Sequence, residues 1–178
     1  MAAKDVRRVS VIGVSGSGKS SVGRAIAARI DAPYVELDAL HHGPGWTEAS
    51  AEELLARVEP WVERERWVID GNYRNKVGDV VVARADIVVW LDLPVRVWFP
   101  RLARRTFTRM LTREELWNGN REQLRFLITE RPNIFGWAWR SHRTNRRELA
   151  PWLAAHTDAQ VVRLRSPGEV SRYLAELS

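Results

Sequence analysis

The chain of 178 residues contains no cysteine. That excludes a disulfide framework, a thiolate-ligated zinc and a thiol nucleophile. Lysine is nearly absent, with 3 residues against 25 arginines, a ratio that genomic GC bias explains as well as function does. No apolar run approaches the ~18 residues of a membrane span. The charged first eight residues lead into an apolar stretch at 9–14 that is too short for a signal peptide and runs into glycines. The expectation is a soluble cytoplasmic protein with no membrane partner. With 45% apolar and 28% charged residues the chain is neither disordered nor fibrous. Its length suits one domain, 1–178, able to bury its own core.

Acidic residues are scarce where basic ones are densest. Residues 96–147 hold 13 arginines and 4 glutamates, with neither lysine nor aspartate, for a net +9. The remainder is net −3, within an overall +6. A localised belt of positive charge implies an anionic partner, either nucleic acid or a small molecule rich in phosphate.

Short β-branched runs alternate with helical stripes. Strands are expected at 6–14, 34–37, 67–70, 87–91 and 160–164. Apolar residues at 22, 25, 26 and 30 mark a first helix after a glycine-rich turn. Ser50-Ala-Glu-Glu53 is a capping box opening a second, which Pro60 should end or kink. Ser166-Pro-Gly-Glu169 opens the last one with the same box. Alternating strands and helices predict an α/β fold, a parallel sheet with helices on both faces. Residues 96–147 show no strand pattern and are expected as helices over the sheet's edge, a lid-like insert within the single domain.

Gly13-Val-Ser-Gly-Ser-Gly-Lys-Ser20 fits the P-loop pattern G-x-x-x-x-G-K-[ST], with a strand before it and a helix after it. Glycines at 13, 16 and 18 let backbone N–H groups turn inward toward phosphate oxygens. The helix that starts there adds free N–H groups and the positive end of its dipole. Gly13, Ser15, Gly16, Ser17, Gly18, Lys19, Ser20 and Ser21 are thus the expected nucleotide cradle. Lys19 supplies a mobile point charge for the β/γ-phosphates of ATP, and Ser20 a hydroxyl for Mg²⁺. Ser21 carries a hydroxyl beside it whose simpler role is packing or capping.

Functional side chains of open parallel sheets gather at the carboxyl ends of strands. Glu36 and Asp38 close the second expected strand, and alternation places both on one side of the chain. Asp38 is the candidate general base, or orienter, for an acceptor hydroxyl; a cap or loop carboxylate is the plainer reading. Glu36 is either a holder of a Mg²⁺-bound water or a structural acid. Asp92 has the position of a Walker B acid, again with a structural alternative, and Asp70 is the weakest of the four. His41 and His42 lack the further ligands a metal site needs and suit a loop beside the acceptor. Trp46 either walls that pocket or packs in the core. Asn72, Tyr73 and Arg74 follow the third strand as further acceptor contacts, Arg74 for an anionic one.

Beyond Pro94, arginines 101, 104, 105, 109 and 113 share one half of a helical wheel. Pro100 should kink or break that helix. Phosphoryl transfer depends on positioning and charge stabilisation, so a closing cationic segment suits it. Arg101, Arg105 and Arg109 are the expected phosphate contacts, against the plainer reading of solvated charges. Arg140, Arg143, Arg146 and Arg147, interleaved with Phe135, Trp137 and Trp139, either hold a nucleic-acid phosphate chain or belong to a docked surface helix.

Five blocks, Val11-Ile-Gly-Val-Ser-Gly-Ser-Gly-Lys-Ser-Ser21, Glu36-Leu-Asp-Ala-Leu-His-His42, Trp67-Val-Ile-Asp-Gly-Asn-Tyr73, Val89-Trp-Leu-Asp-Leu-Pro94 and Leu116-Trp-Asn-Gly-Asn-Arg-Glu122, resemble the bacterial DNA topology modulation proteins. These belong with adenylate-kinase-like and shikimate-kinase-like P-loop kinases. The resemblance implies a three-layer α/β/α fold, a sheet ordered 2-3-1-4-5, MgATP on the P-loop, and an Arg-rich lid between strands four and five. It also implies an adenine seat at Arg165 and Pro167. Shikimate-type kinases carry Asp-x-Asp at strand two, where this chain has Glu36 first. The acceptor motifs of nucleotide and shikimate kinases do not appear intact.

The expected function is ATP-dependent phosphoryl transfer to a small molecule, with nucleotides and nucleosides among the acceptors. The alternative is a nucleic-acid-binding protein using ATP as a switch. A kinase acting on a DNA or RNA end ranks below both.

Overall fold

The structure is a computed structural model that describes residues 6–112, 115–120 and 134–177. Arg113 and part of the block at 116–122 lie outside the described residues. Five parallel strands, β1 (Arg8–Gly13), β2 (Tyr34–Glu36), β3 (Trp67–Asp70), β4 (Ile87–Leu91) and β5 (Gln160–Leu164), form one sheet in the order β2-β3-β1-β4-β5, as expected. The register of Val11 with Asp70 and Gly13 with Leu91 brings the strand ends to a common edge. Seven α-helices are described: α1 (Lys19–Ile30), α2 (Leu37–His41), α3 (Ala51–Val62), α4 (Asp79–Ala83), α5 (Val95–Thr112), α6 (Ile134–His156) and α7 (Pro167–Glu176). None is long and apolar enough to cross a membrane.

Strand alternation divides the core between the faces of the sheet. Val9, Val11, Val68, Val89 and Leu91 pack with Val22, Ile26 and Ile30 of α1 and, at the margin, Tyr173 of α7. Ile12, Val35, Ile69, Val88 and Trp90 pack with Leu54, Val58 and Val62 of α3, and with Leu149 and Leu153 of α6. The second half of α6, past the expected insert at 96–147, therefore covers a sheet face. Ser50 caps α3 with both halves of the box formed. At α7 only one half forms: Ser166 accepts from the Glu169 N–H, while the Glu169 carboxylate reaches back to the Arg165 N–H.

Pro60 lies in the last turn of α3, which ends at Val62, while α5 continues past Pro100 to Thr112 without a break. Pro removes one intrahelical hydrogen bond, and at Pro100 buried neighbours on both sides fix the helix. Trp98 and Leu102 are fully buried with Val14 of the turn after β1 and Ala138 of α6. The Trp98 ring lies 5.5 Å from His142, and Phe99 lies 5.6 Å from Phe135. The Arg-rich helix is thus bolted to the glycine turn by its first two turns. Beyond Leu102 the apolar residues Phe107 and Leu111 are exposed.

Trp98→Ala should cost about 3–5 kcal/mol, the range for emptying a buried aromatic site. Leu111→Ala, at an 85% exposed position, should change stability by less than about 0.5 kcal/mol. Urea denaturation of the two variants checks both values.

Candidate active site

The turn between β1 and α1 adopts the conformation its glycines allow. Gly16 and Gly18 have φ of +83° and +93°, where an L side chain is strained. Gly18 is the N-cap of α1 and provides no side-chain acceptor, so the first-turn N–H groups have no cap and face the loop. A Cβ on Gly16 would lie 2.5 Å from the Trp98 carbonyl and 2.8 Å from Leu102 Cβ. Only glycine fits this approach of the loop to α5. The Lys19 ammonium folds back to within 3.5 Å of the Val14 carbonyl. Ser17 is buried and its hydroxyl has no protein partner among the described residues. Ser15 lies in the same turn, and Ser21 is exposed on α1.

The other flank of the loop is held by Asn72. Its Oδ1 accepts from the Gly13 N–H at 2.9 Å and its Nδ2 donates to the Gly13 carbonyl at 2.6 Å. Both ends of the amide are therefore engaged by backbone. Asn72 was expected to contact the acceptor; here it fixes the start of the loop.

A cluster of oxygens stands beside Ser20. The Ser20 hydroxyl donates to Glu36 Oε1 at 3.0 Å, and Arg24 lies 3.3 Å from Glu36 Oε2. The Tyr34 hydroxyl donates to Asp70 Oδ2 at 2.7 Å. Gly23 makes room for the Tyr34 ring, since a Cβ there would lie 2.7 Å from it. Burial pushes the Asp70 carboxyl up to about 6, opposed by the positive charge of Lys19 and the Tyr34 hydrogen bond. Burial and the Asp70 carboxylate push the Tyr34 phenol well above its ordinary range. The acid weighed least in the sequence is thus the one buried beside Lys19 and Ser20.

Asp92 is placed otherwise. Its Oδ1 accepts from Arg146 Nε at 3.0 Å, and its Oδ2 from Arg163 at 2.6 and 3.1 Å. Arg163 also lies over the Trp90 ring at 4.1 Å. Two guanidinium groups occupy both oxygens of this 3%-exposed acid. Asp92 thus forms an ion-pair lock joining β4, β5 and α6, in keeping with the structural alternative to a Walker B role. Arg146 is thereby removed from the cationic cluster of α6.

Asp38 differs from expectation in its local structure. β2 ends at Glu36 and α2 begins at Leu37, so strand alternation does not relate Glu36 to Asp38. Asp38 sits in the first turn of α2, where its Oδ1 accepts from the Tyr73 hydroxyl at 2.7 Å. Burial, with Asp38 next, pushes the Tyr73 phenol far up. His41 is the last residue of α2 rather than a loop residue, and it is 3% exposed. Its ring lies tilted against Tyr73, with centroids 4.6 Å apart, and its Nε2 lies 3.4 Å from Glu48. Arg74 is paired with Glu148 of α6 at 2.9 Å. Trp46 is half-buried, with φ +62°, its ring edge-on to His42.

Sequence reasoning missed the clasp on this loop. Asn120 is buried; its Oδ1 accepts from the Trp46 N–H at 2.9 Å and its Nδ2 donates to the Gly43 carbonyl at 2.8 Å. Asn118 donates to the His42 carbonyl, and Trp117 stacks on His42. The only sequence signal was the Leu116–Asn120 block within the family resemblance.

On α5, Arg101, Arg104, Arg105, Thr108 and Arg109 line one shallow concavity. Arg101 Nη1 lies 4.0 Å from where a Gly18 Cβ would stand, so this arginine overhangs the loop. Arg165 and Pro167 are exposed just past the end of β5.

No family model matches the chain. A shikimate kinase of Nitratidesulfovibrio vulgaris is 33% identical over 115 residues, which is 56% of this chain and 65% of that protein. The match thus spans just under two thirds of that curated relative. A solved gluconokinase from Sinorhizobium meliloti 1021 superposes with TM-score 0.55 at 24% identity, covering 99% of this chain and 93% of that one. Shikimate kinase from Acinetobacter baumannii, solved with shikimate, gives TM-score 0.60 at 15% identity, over 98% and 92%. These likenesses show the fold alone, which the chain shares with those solved kinases.

Asp70 generates a pH prediction. Its folded-state value of about 6 lies above its ordinary 3.8. Its stabilising contribution is therefore complete below about 4 and is lost as pH rises through 6. Asp70→Asn should flatten the stability profile between about pH 4 and 6 and raise stability at pH 7, read by urea denaturation. Asp92→Asn should instead destabilise by about 2–4 kcal/mol, because it leaves two guanidinium groups at a buried position. The cost stays below that of a sealed pair since Arg146 is 48% exposed.

Proposed function

We propose that this chain transfers the γ-phosphoryl group of ATP to a hydroxyl of a small molecule. The observation that carries the reading is the glycine loop: two left-handed glycines at the uncapped N-terminus of α1, Lys19 and Ser20 beyond them, and Arg101 above. Backbone N–H groups and the helix dipole bind the phosphate chain. Lys19, released from the Val14 carbonyl, adds its charge there. Arg165 and Pro167 flank the base, and Arg101, Arg105 and Arg109 stabilise charge on the transferring group.

The Ser20 hydroxyl and the Glu36 and Asp70 carboxyls are oxygen donors of the kind that suits Mg²⁺. When bound, the ion neutralises phosphate charge. Asp38 accepts the proton of the acceptor hydroxyl, and the Tyr73 O–H fixes the orientation of its carboxylate. His41 and Trp46 complete the acceptor end, while Arg74 acts there through its pair with Glu148. The motif blocks add the finer reading that the chain is one of the DNA topology modulation group, cytoplasmic as that group implies. Phosphoryl transfer requires no action on DNA, and a nucleic-acid switch is not favoured beside a fold shared with small-molecule kinases.

Lys19→Ala should abolish MgATP binding in calorimetry. Asp38→Asn should keep binding but slow transfer from labelled ATP by about 10²–10⁴-fold. Undiminished MgATP binding by Lys19→Ala would refute the reading.

A further inference from the structure

One polar side chain of α6 has no part in the site described above. Its neighbours on that helix are committed: Leu149 and Leu153 are buried in the core, Arg146 holds Asp92 at 3.0 Å, and Glu148 holds Arg74 at 2.9 Å. Asn145 differs. Its Nδ2 is shielded from solvent and has no hydrogen-bond partner among the described residues. No other buried side-chain nitrogen or oxygen of α6 is in that condition among those residues. A buried donor without an acceptor is destabilising, and a native structure keeps one where a water or a ligand completes it.

Asn145 lines a cavity of ≈ 20 Å³, above the roughly 10–15 Å³ that one water needs. α6 adds Leu149 and Trp152 to its wall, and the acceptor end of the site adds Leu37, Asn72 and Arg74. Leu37 directly precedes Asp38 in α2. Asn72 and Arg74 flank Tyr73, whose hydroxyl donates to Asp38 Oδ1 at 2.7 Å. Besides its pair with Glu148, the Arg74 guanidinium lies 5.9 Å from the Trp152 ring. Positions 145, 148, 149 and 152 follow the spacing of one helix face, so a single stripe of α6 meets this segment. Arg74 carries donors only and offers the Asn145 N–H no acceptor.

We infer that Asn145 determines acceptor specificity: its Nδ2 donates to a second oxygen of the acceptor, a hydroxyl or carbonyl seated in this cavity, while the hydroxyl to be phosphorylated lies at Asp38. The inference rests on the kinase reading above and narrows it to acceptors with at least two oxygen functions, polyhydroxy compounds first among them. A site built on such a hydrogen bond rejects an analogue that lacks the oxygen, because the amide is then left unpaired. An apolar side chain at 145 makes no such demand.

The experiment offers the intact protein labelled ATP with nucleosides, hexoses, pentoses, shikimate, gluconate and nucleoside monophosphates. MgATP binding is measured on the same preparation. The compound with the highest kcat/KM is then compared with its singly deoxygenated analogues, the phosphorylated position excepted. In the unaltered protein one analogue should lose at least tenfold in kcat/KM. Asn145→Leu removes the amide, and Asn145→Asp keeps its shape without the N–H. Both should lose at least tenfold on the parent compound, keep MgATP affinity within twofold, and narrow the gap between parent and analogue to below threefold. A gap that persists in either folded variant overturns the inference and assigns the cavity to a structural water only. The absence of any analogue with a tenfold loss also overturns it. So does weakened MgATP binding in both variants, or failure of both to fold in urea denaturation, since the amide then serves packing. MgATP binding without transfer to any compound, or no MgATP binding, removes the kinase reading itself and the inference with it.

Discussion

A loop that curls around phosphate oxygens has little internal packing and must be held from outside. Here the constraint is the contact of Gly16 with α5, too close for any Cβ. On the opposite flank the Asn72 amide holds both polar groups of Gly13. The loop therefore lies between a buried tryptophan and a side-chain amide, and its open N–H groups keep their direction without a ligand. The rest follows from that fixation. α5 runs where Trp98 and Leu102 can reach the loop, which carries Arg101 over Gly18. Pro100 is tolerated because packing on either side compensates for one missing hydrogen bond.

The two buried acids beside the sheet show how position in sequence and position in charge separate. Asp70 ends one apolar strand and Asp92 follows another, and nothing in their neighbouring residues distinguishes them. Asp92 meets Arg146 from α6 and Arg163 from β5, partners 54 and 71 residues away. Asp70 meets Tyr34 and the field of Lys19. The first is a cross-link between sheet and helix; the second stays close to the glycine loop. Sheet order explains the difference, because β3 and β4 flank β1 on opposite sides and only β4 neighbours β5.

Most of the architecture was legible in the sequence because its signals are local. Apolar strands, the glycine loop and the Ser50 box each lie within a few residues, and the strand order came with the family resemblance. Pattern also gave Lys19 and Ser20. What sequence could not convey depends on contacts across the fold. Asn72 looks like any polar residue after a strand until Gly13 is brought beside it. Leu37 and Asp38 read as the end of the strand because they alternate correctly, yet α2 starts there. Gly71, at φ +142°, makes space for the Leu37 side chain at that start. Asn118 and Asn120 act on carbonyls and an N–H more than 70 residues earlier, a relation no local pattern encodes.

The way α5 is anchored has a mechanical side. Its buried grip ends at Leu102 among the described residues, apart from Thr106, and the remaining turns extend outward with exposed Phe107 and Leu111. At 1.5 Å of rise per residue, Arg109 stands about 10 Å beyond that pivot, whereas Arg101 sits on it. A tilt of roughly 10° would carry Arg109 about 2 Å and leave Arg101 nearly still. Arg101 thus sits at the packed end of the helix, and Arg109 about two turns farther along it.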